Sequence, residues 1–303
     1  MKSFNDKEGG IMPNTSDFHT HTCYSDGDLL PEEVVRLAKI RGLQVLSITD
    51  HDTVDGLESA GNECERQDIE LIPGIEFTSE TEFSGIEIHI LGYGIDPMDY
   101  SLLKMTEHAK SNANDYCRKV CPALESFGWE IDYSIIDSSK GIITKHDISG
   151  AVINKPGSNY EFHNHWLSGN SPLKEVMQKL PARKVIKTIH CTGGKAVCAH
   201  ILRTLEQTND ILLLHHISES LIRSGLDGFE VFYAKSSKDH VCMMYEICKK
   251  KQLIMTGGSD FHGPERFARC QLGEYNTYSM FNYQDLIEQL SRSSDHQKQS
   301  TMT

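Results

Sequence analysis

Apolar and polar residues alternate along this chain in blocks that predict strands and helices in turn. Short apolar or β-branched runs predict strands at 17–22, 43–49, 69–75, 87–93, 195–200, 226–232 and 252–256. Longer stretches with apolar residues at helical spacing predict helices at 31–42, 53–67, 209–224 and 236–251. The first of these helices has clear ends, because Pro31 opens it and Gly42 stops it. The alternation predicts an α/β fold with parallel strands covered by helices.

The middle of the chain has a different pattern. A long polar helix is predicted at 98–128, followed by shorter helices at 144–154, 159–167, 172–180 and 182–192. We therefore expect one α/β domain formed by 16–97 and 191–288, with 98–190 as an inserted helical subdomain that covers the substrate. The ends, 1–15 and 289–303, are polar and are expected to be disordered.

Composition limits the class of protein. A chain of 303 residues is long enough for one large domain, or for one domain with an insertion. It has no apolar run of about 18 residues and no apolar signal segment at its start, so we expect a cytoplasmic protein without a membrane partner. The nine cysteines form no C-x-x-C motif and are expected to be reduced thiols. A net charge of -13 argues against long nucleic acid as a partner, since such binding needs a basic surface.

Nine histidine and carboxylate side chains stand at or near the ends of the predicted strands. They are His19, His21, Asp26, His51, Glu76, His89, His200, Asp260 and His262. Imidazole nitrogen and carboxylate oxygen are the ligands that hold Mn, Fe or Zn. In a closed barrel all the carboxyl ends of the strands meet at one mouth, whereas an open sheet, with neighbouring strands about 4.8 Å apart, would spread them widely. The sequence therefore predicts a barrel with a polynuclear metal site, a type of site that often cleaves phosphate esters.

The motifs Asp17-Phe18-His19-Thr20-His21, Thr49-Asp50-His51 and Ser259-Asp260-Phe261-His262 resemble those of the PHP family, named for its polymerase-associated and histidinol-phosphatase members. The resemblance covers about 17–95 and 193–275, and it is to the stand-alone phosphoesterase branch with a helical insertion. It implies a distorted (β/α)7 barrel and three divalent metal ions, with manganese expected first and iron or zinc as alternatives.

The resemblance also implies a role for each of the nine residues. His19, His21, Glu76 and Asp260 would hold the first ion, and Glu76 would bridge to a second held by His89 and His200. Asp26, His51 and His262 would hold the third. A hydroxide shared by the first two ions would attack a small phosphate ester, namely a nucleotide, sugar phosphate or cyclic phosphate. Asp260 and His262 are the nearest candidates to assist the leaving group.

Four basic residues are candidates to contact the substrate. The related branch carries a basic segment in its insertion, and Lys145 and His146 stand at the corresponding place here; the alternative is an ordinary helix start capped by Thr144. Arg203 and Arg266 follow strands that carry metal ligands and could reach a phosphate or lie on the surface. Asp50 and Asp52 could orient His51 or cap the following helix.

Three functions are left open by the sequence. A phosphatase or phosphodiesterase acting on a small ester fits the complete ligand set and the acidic charge. A 5′→3′ exonuclease on short oligonucleotides would use the same chemistry. A non-catalytic, metal-stabilised partner domain would be indicated by a missing ligand, and all nine are present. Histidinol phosphatase fits the predicted insertion poorly.

Overall fold

The computed structural model describes residues 15–81, 86–139, 141–168, 171–173, 177–203, 210–264, 270–278, 280, 284 and 286–289. Arg266 lies outside these residues, as do 1–14 and 290–303, which cover most of the two ends that the sequence predicts to be disordered. None of the helices in the described ranges is long and apolar enough to cross a membrane.

Nine helices can be delimited in the described ranges. They are α1 (Pro31–Ile40), α2 (Leu57–Gln67), α3 (Tyr100–Ser126), α4 (Tyr133–Asp137), α5 (Lys145–Ala151), α6 (Asn159–Trp166), α7 (Ala182–Cys191), α8 (Ile211–Arg223) and α9 (Lys238–Lys251). The helix predicted at 172–180 is absent from 171–173 and 177–179, and its centre lies outside the described residues.

The strands form two sheets. They are β1 (Ser16–Asp17), β2 (Val45–Leu46), β3 (Glu70–Leu71), β4 (Gly74–Glu80), β5 (Glu87–Tyr93), β6 (Leu180–Pro181), β7 (Lys195–Cys198), β8 (Gly228–Tyr233) and β9 (Ile254–Gly258). One sheet has the order β1-β2-β3 and is parallel. The other has the order β6-β4-β5-β7-β8-β9. The α/β class is thus confirmed, but no closed sheet is formed by these strands.

One strand runs against the expected direction. β5 is antiparallel to both of its neighbours, β4 and β7, so the prediction of an all-parallel sheet is wrong at this strand. β4 also continues to Glu80, beyond the predicted strand end at Glu76. Only six residues separate β4 from β5 in the sequence, too few for the crossover connection that two parallel strands need.

The two sheets approach each other at two places. An isolated parallel bridge pairs Thr20, after β1, with Phe261, after β9. A second parallel bridge pairs His51, after β2, with Glu76 in β4. Gly74 permits this second approach, because a Cβ atom there would lie 2.4 Å from the Ser47 hydroxyl oxygen. Both bridges therefore carry or adjoin residues of the predicted metal site.

Helices α3 to α6 follow β5 and build a second apolar cluster. The first half of α3 contributes Leu102 and Met105 to the main core, whereas Val120 and Leu124 in its second half pack with α4, α5 and α6. Thr144 caps α5 by accepting a hydrogen bond from the Asp147 amide at 3.2 Å. This helical unit therefore shares one long helix with the α/β core and has an apolar centre of its own.

Candidate metal centre

The nine predicted ligand residues lie together in one network of contacts. His19 and His21 follow β1, Asp26 lies in the next turn and His51 follows β2. Glu76 lies within β4 and His89 within β5, so these two are interior strand residues. His200 follows β7, and Asp260 and His262 follow β9. Strands from both sheets thus supply the same centre.

The carboxylate of Glu76 is the hub of this network. Its side chain is fully buried, and its two oxygens face different groups of imidazoles. Oε2 lies 3.1 Å from Nε2 of His19, 3.1 Å from Nε2 of His21 and 3.4 Å from Nδ1 of His51. Oε1 lies 3.0 Å from Nδ1 of His89 and 3.2 Å from Nε2 of His200. A carboxylate in this position can bridge two cations.

His19 and His21 direct two ring nitrogens at one point. Their Nε2 atoms are 3.1 Å apart, and Asp260 Oδ1 lies 3.5 Å from the first and 3.4 Å from the second. Imidazole nitrogens that approach so closely need a proton or a cation between them. Together with Glu76, they form a buried group whose ligand atoms lie within 4.8 Å of one another.

A further group surrounds Asp26. Its Oδ1 lies 3.2 Å from Nε2 of His262, 3.8 Å from Nδ1 of His21 and 3.9 Å from Nε2 of His51. Within the described residues, Oδ1 of Asp26, Nδ1 of His21 and Nδ1 of His51 are buried atoms with no hydrogen-bond partner. Buried polar atoms are normally paired, so these atoms fit a role as cation ligands. Nδ1 of His21 faces Asp26, whereas Nδ1 of His51 faces Glu76.

The electrostatics of the site favour cation binding. Burial tends to raise the pKa of the carboxyl groups of Asp26, Glu76 and Asp260, but the surrounding imidazoles hold each pKa well below its usual range. Burial likewise opposes charge on His21, yet the hydrogen bonds that its ring donates to Asp260 and Glu76 raise its pKa to about 10. The carboxylates are therefore ionised at neutral pH, and cations that bind must displace protons from imidazoles.

Two buried carboxylates support the ligands without facing the centre of the site. Glu230 in β8 accepts a hydrogen bond from Nδ1 of His19 at 2.9 Å and one from the His200 amide at 2.8 Å. Asp17 accepts hydrogen bonds from the Ser259 amide and hydroxyl at 3.0 and 2.5 Å. Neither role was predicted from the sequence. The sequence does contain a signal for the role of Glu230, because this acid stands in the middle of an apolar strand.

The two aspartates beside His51 hold neighbouring segments. Asp50 accepts hydrogen bonds from the Thr22 amide at 2.7 Å and the Ser25 hydroxyl at 2.6 Å, which fixes the loop leading to Asp26. Asp52 accepts one from the Thr78 amide at 3.0 Å. Neither caps α2, whose N-cap is Gly56.

A cavity of about 260 Å³ extends from the predicted metal ligands to the helical unit. Lys145, His146 and Arg203, three of the four predicted substrate residues, line it. Tyr160 and His163 of α6 line the same cavity. The cavity therefore joins the predicted metal ligands, the basic residues and the insertion.

Comparison with known proteins identifies the family. The model of the PHP domain matches residues 17–224. This chain belongs to the PHP domain family. The match includes His19, Glu76 and His200, whereas Asp260 and His262 lie beyond it.

Three relatives cover most of this PHP protein. A 5′-3′ exoribonuclease of Haemophilus influenzae is 29% identical over 269 residues, 84% of this chain and 92% of that protein. A phosphoribosyl 1,2-cyclic phosphate 1,2-diphosphodiesterase of Eggerthella lenta is 25% identical over 82% of this chain and 94% of its own. A 3′,5′-nucleoside bisphosphate phosphatase of Chromobacterium violaceum is 26% identical over 82% and 87%. All three are phosphoesterases by name, which confirms the expected class of enzyme, a phosphoric ester hydrolase.

A solved structure shares the α/β fold of this chain. A protein of Bifidobacterium adolescentis, assigned as a metal-dependent phosphoesterase, superposes with a TM-score of 0.80 and 24% identity. The superposition covers 92% of this chain and 96% of the other. With this coverage, the superposition includes most of the helical unit of this PHP protein.

Gly258 offers a test of how tightly the site is built. A Cβ atom there would lie 2.4 Å from Cβ of His19 and 2.7 Å from its amide nitrogen. We expect Gly258→Ala to lower the free energy of unfolding by about 1–3 kcal/mol, because β9 must shift away from His19. Urea denaturation measures this change.

Gly61→Ala is the matched control, since the nearest atom to its added Cβ would be a Leu71 methyl at 3.7 Å. A helical Gly→Ala substitution of this kind should stabilise the protein by about 0.5–1 kcal/mol. Equal stability of Gly258→Ala and the unmodified protein would contradict the close packing of β9 on His19.

Proposed function

We propose that this protein is a metal-dependent phosphatase or phosphodiesterase that hydrolyses a small phosphate ester at a trinuclear site. The observation that carries the proposal is Glu76, whose two oxygens face separate groups of imidazoles. When bound, the ions would supply an activated water at neutral pH and neutralise the charge on phosphate oxygens.

Each ion has a proposed set of ligands. Oε2 of Glu76 would hold the first with His19, His21 and Asp260, and Oε1 would hold the second with His89 and His200. Asp26, His51 and His262 would hold the third, beside the unpaired Nδ1 of His21. Manganese is the first expectation, followed by iron or zinc.

The leaving group needs a proton, and the two residues nearest the site are poorly placed to give one. Asp260 faces His19 and His21 through Oδ1, and its Oδ2 accepts the Tyr233 hydroxyl at 3.0 Å. His262 donates from Nδ1 to the Asp260 carbonyl at 2.8 Å, which leaves Nε2 as a lone-pair ligand. Both residues are therefore assigned to metal binding. His163, which lines the cavity from α6, is the alternative donor.

The fold would serve this site as a distorted barrel with a cap. The bridges Thr20–Phe261 and His51–Glu76 connect the two sheets at two places, which supports a ring of seven strands in which β3 and β4 count as one. Residues 98–190 would cover the mouth as a substrate-capping subdomain. Lys145, His146 and Arg203 would then hold phosphate oxygens that the ions do not reach.

A small substrate fits the cavity and the charge better than a polymer does. A volume of about 260 Å³ is small for a ligand site, and a net charge of -13 opposes a long polyanion. A 5′→3′ exonuclease on short oligonucleotides is the second candidate, favoured by the relative that is 29% identical over 84% of the chain. The complete ligand set argues against a non-catalytic partner domain.

A substrate panel tests the proposal. Metal-loaded protein would be incubated with AMP, a nucleoside 3′,5′-bisphosphate, a ribose cyclic phosphate and a 5′-phosphorylated trinucleotide, with Asp260→Asn as the blank. Hydrolysis of one small ester, lost in the variant, is the expected result. A stepwise ladder from the trinucleotide with no hydrolysis of small esters would favour the exonuclease. No hydrolysis of any of the four substrates by protein that contains bound metal would favour the non-catalytic domain.

A further inference from the structure

Glu87 is a partly exposed acid that neither the ligand set nor the candidate substrate residues include. It opens β5, two residues before His89, so both side chains project from the same face of the strand. Across the sheet, Glu80 of β4 pairs with Glu87 and Thr78 pairs with His89. Glu87 also lines the cavity beside the metal ligands.

His89 lies between two carboxylates. Its Nδ1 is 3.0 Å from Oε1 of Glu76, and its Nε2 is 3.5 Å from Oε1 of Glu87. Only one ring nitrogen of His89 can bind a given ion, and Nδ1 is the one directed at the Glu76 carboxylate. Nε2 must then carry the proton, because a neutral imidazole bears a proton on one nitrogen and a lone pair on the other.

Two lysines keep Glu87 charged and in place. Its Oε2 lies 3.5 Å from Nζ of Lys145 and 3.2 Å from Nζ of Lys179. The lysines also offset the repulsion expected between Glu87 and Glu80 in directly opposite positions. Lys145 belongs to α5, so its contact with Glu87 connects the helical unit to the carboxylate beside His89.

We infer that Glu87 is a positioning residue that accepts the Nε2 proton of His89 and so presents Nδ1 to the second metal ion. The inference rests on the proposed function, because it requires an ion between Glu76, His89 and His200. A carboxylate on the remote nitrogen of a metal-bound imidazole fixes its tautomer and ring orientation and increases its basicity. Loss of such a partner typically weakens metal binding or activity about 10- to 100-fold.

The test compares Glu87→Gln with Glu80→Gln. The two substitutions remove the same charge from cross-strand partners, and Glu80 forms no ion pair within the described part of the chain. Each protein would be stripped with a chelator and titrated with Mn²⁺ in metal buffers, with bound metal counted by mass spectrometry. We expect one ion to bind about 10- to 100-fold more weakly in Glu87→Gln while the others stay unchanged. Glu80→Gln should bind all ions as the unmodified protein does.

Glu87→Asp distinguishes a loss of the His89 contact from a folding defect. It keeps the charge near the lysines but withdraws the carboxylate from Nε2 by about 1.5 Å, one carbon–carbon bond. It should therefore lose the same ion while its thermal transition is unchanged. Unaltered metal binding in both Glu87 variants would overturn the inference and leave the proposed function intact. Absence of metal binding in the unmodified protein would instead refute the proposed function itself.

Discussion

Replacement of Glu76 by glutamine should lower kcat/KM for phosphate release by about 10³-fold or more. A glutamine side chain keeps the size but loses the charge and one of the two oxygens that would bridge the ions. The carboxylate contacts five imidazoles at 3.0 to 3.4 Å from a fully buried position, so solvent cannot replace it. A loss of about 4 kcal/mol of transition-state stabilisation, within the range expected of metal catalysis, corresponds to this factor.

Glu80→Gln is the control for this substitution, since Glu80 lies on the same face of β4, four residues further along. Initial rates on the ester found by the substrate panel and the bound metal would be measured for both variants. Glu80→Gln should keep its activity and its metal. A Glu76→Gln protein that retained a tenth of the activity would contradict the bridging role of this residue.

Glu230→Gln should weaken metal binding and activity by about 10- to 100-fold. Both oxygens of Glu230 act as acceptors, one from Nδ1 of His19 at 2.9 Å and one from the His200 amide at 2.8 Å. A glutamine side chain has one acceptor oxygen, so its NH₂ group must face one of the two donors, either the His19 ring or the His200 amide. If it faces His19, the ring has to move its proton to Nε2, the nitrogen directed at Glu76. The residue is also fully buried, so an unmade hydrogen bond would cost about 1–3 kcal/mol of stability.

Glu246→Gln, on the exposed side of the neighbouring helix α9, is the control for Glu230→Gln. Metal affinity and thermal stability would be measured for both proteins. Unchanged metal affinity in Glu230→Gln would show that the His19 tautomer does not depend on Glu230.

The predicted ligand residues could be picked out from the sequence because each stands beside a strand end or inside a short strand with a regular period. His19 and His21, two residues apart, project to the same side, and Asp260 and His262 repeat this spacing. The structure adds which atoms face each other, for example the separate partners of the two Glu76 oxygens. That information depends on how strands from two sheets meet, and no local pattern contains it.

Other features could not be predicted from local patterns, for physical reasons. The antiparallel direction of β5 was hidden because the predicted strand ended at Glu76, so ten residues were expected between the two strands where the structure has six. Lys145 was predicted to face phosphate, but its contact with Glu87 joins segments 58 residues apart in sequence. Such pairs depend on tertiary packing. Glu230 was missed although a buried acid in an apolar strand calls for a partner.

The most direct test of the central claim is a titration of chelator-stripped protein with Mn²⁺, in which bound metal, phosphate release and thermal stability are measured on the same samples. We expect no activity in the stripped protein, activity that rises as up to three ions bind per chain, and its loss on renewed chelation. Saturation at 100 times a site's Kd should add about 2.7 kcal/mol of stability, which corresponds to a rise in Tm of roughly 5 °C. Full activity in metal-free protein, or no metal bound at millimolar Mn²⁺, would contradict the account.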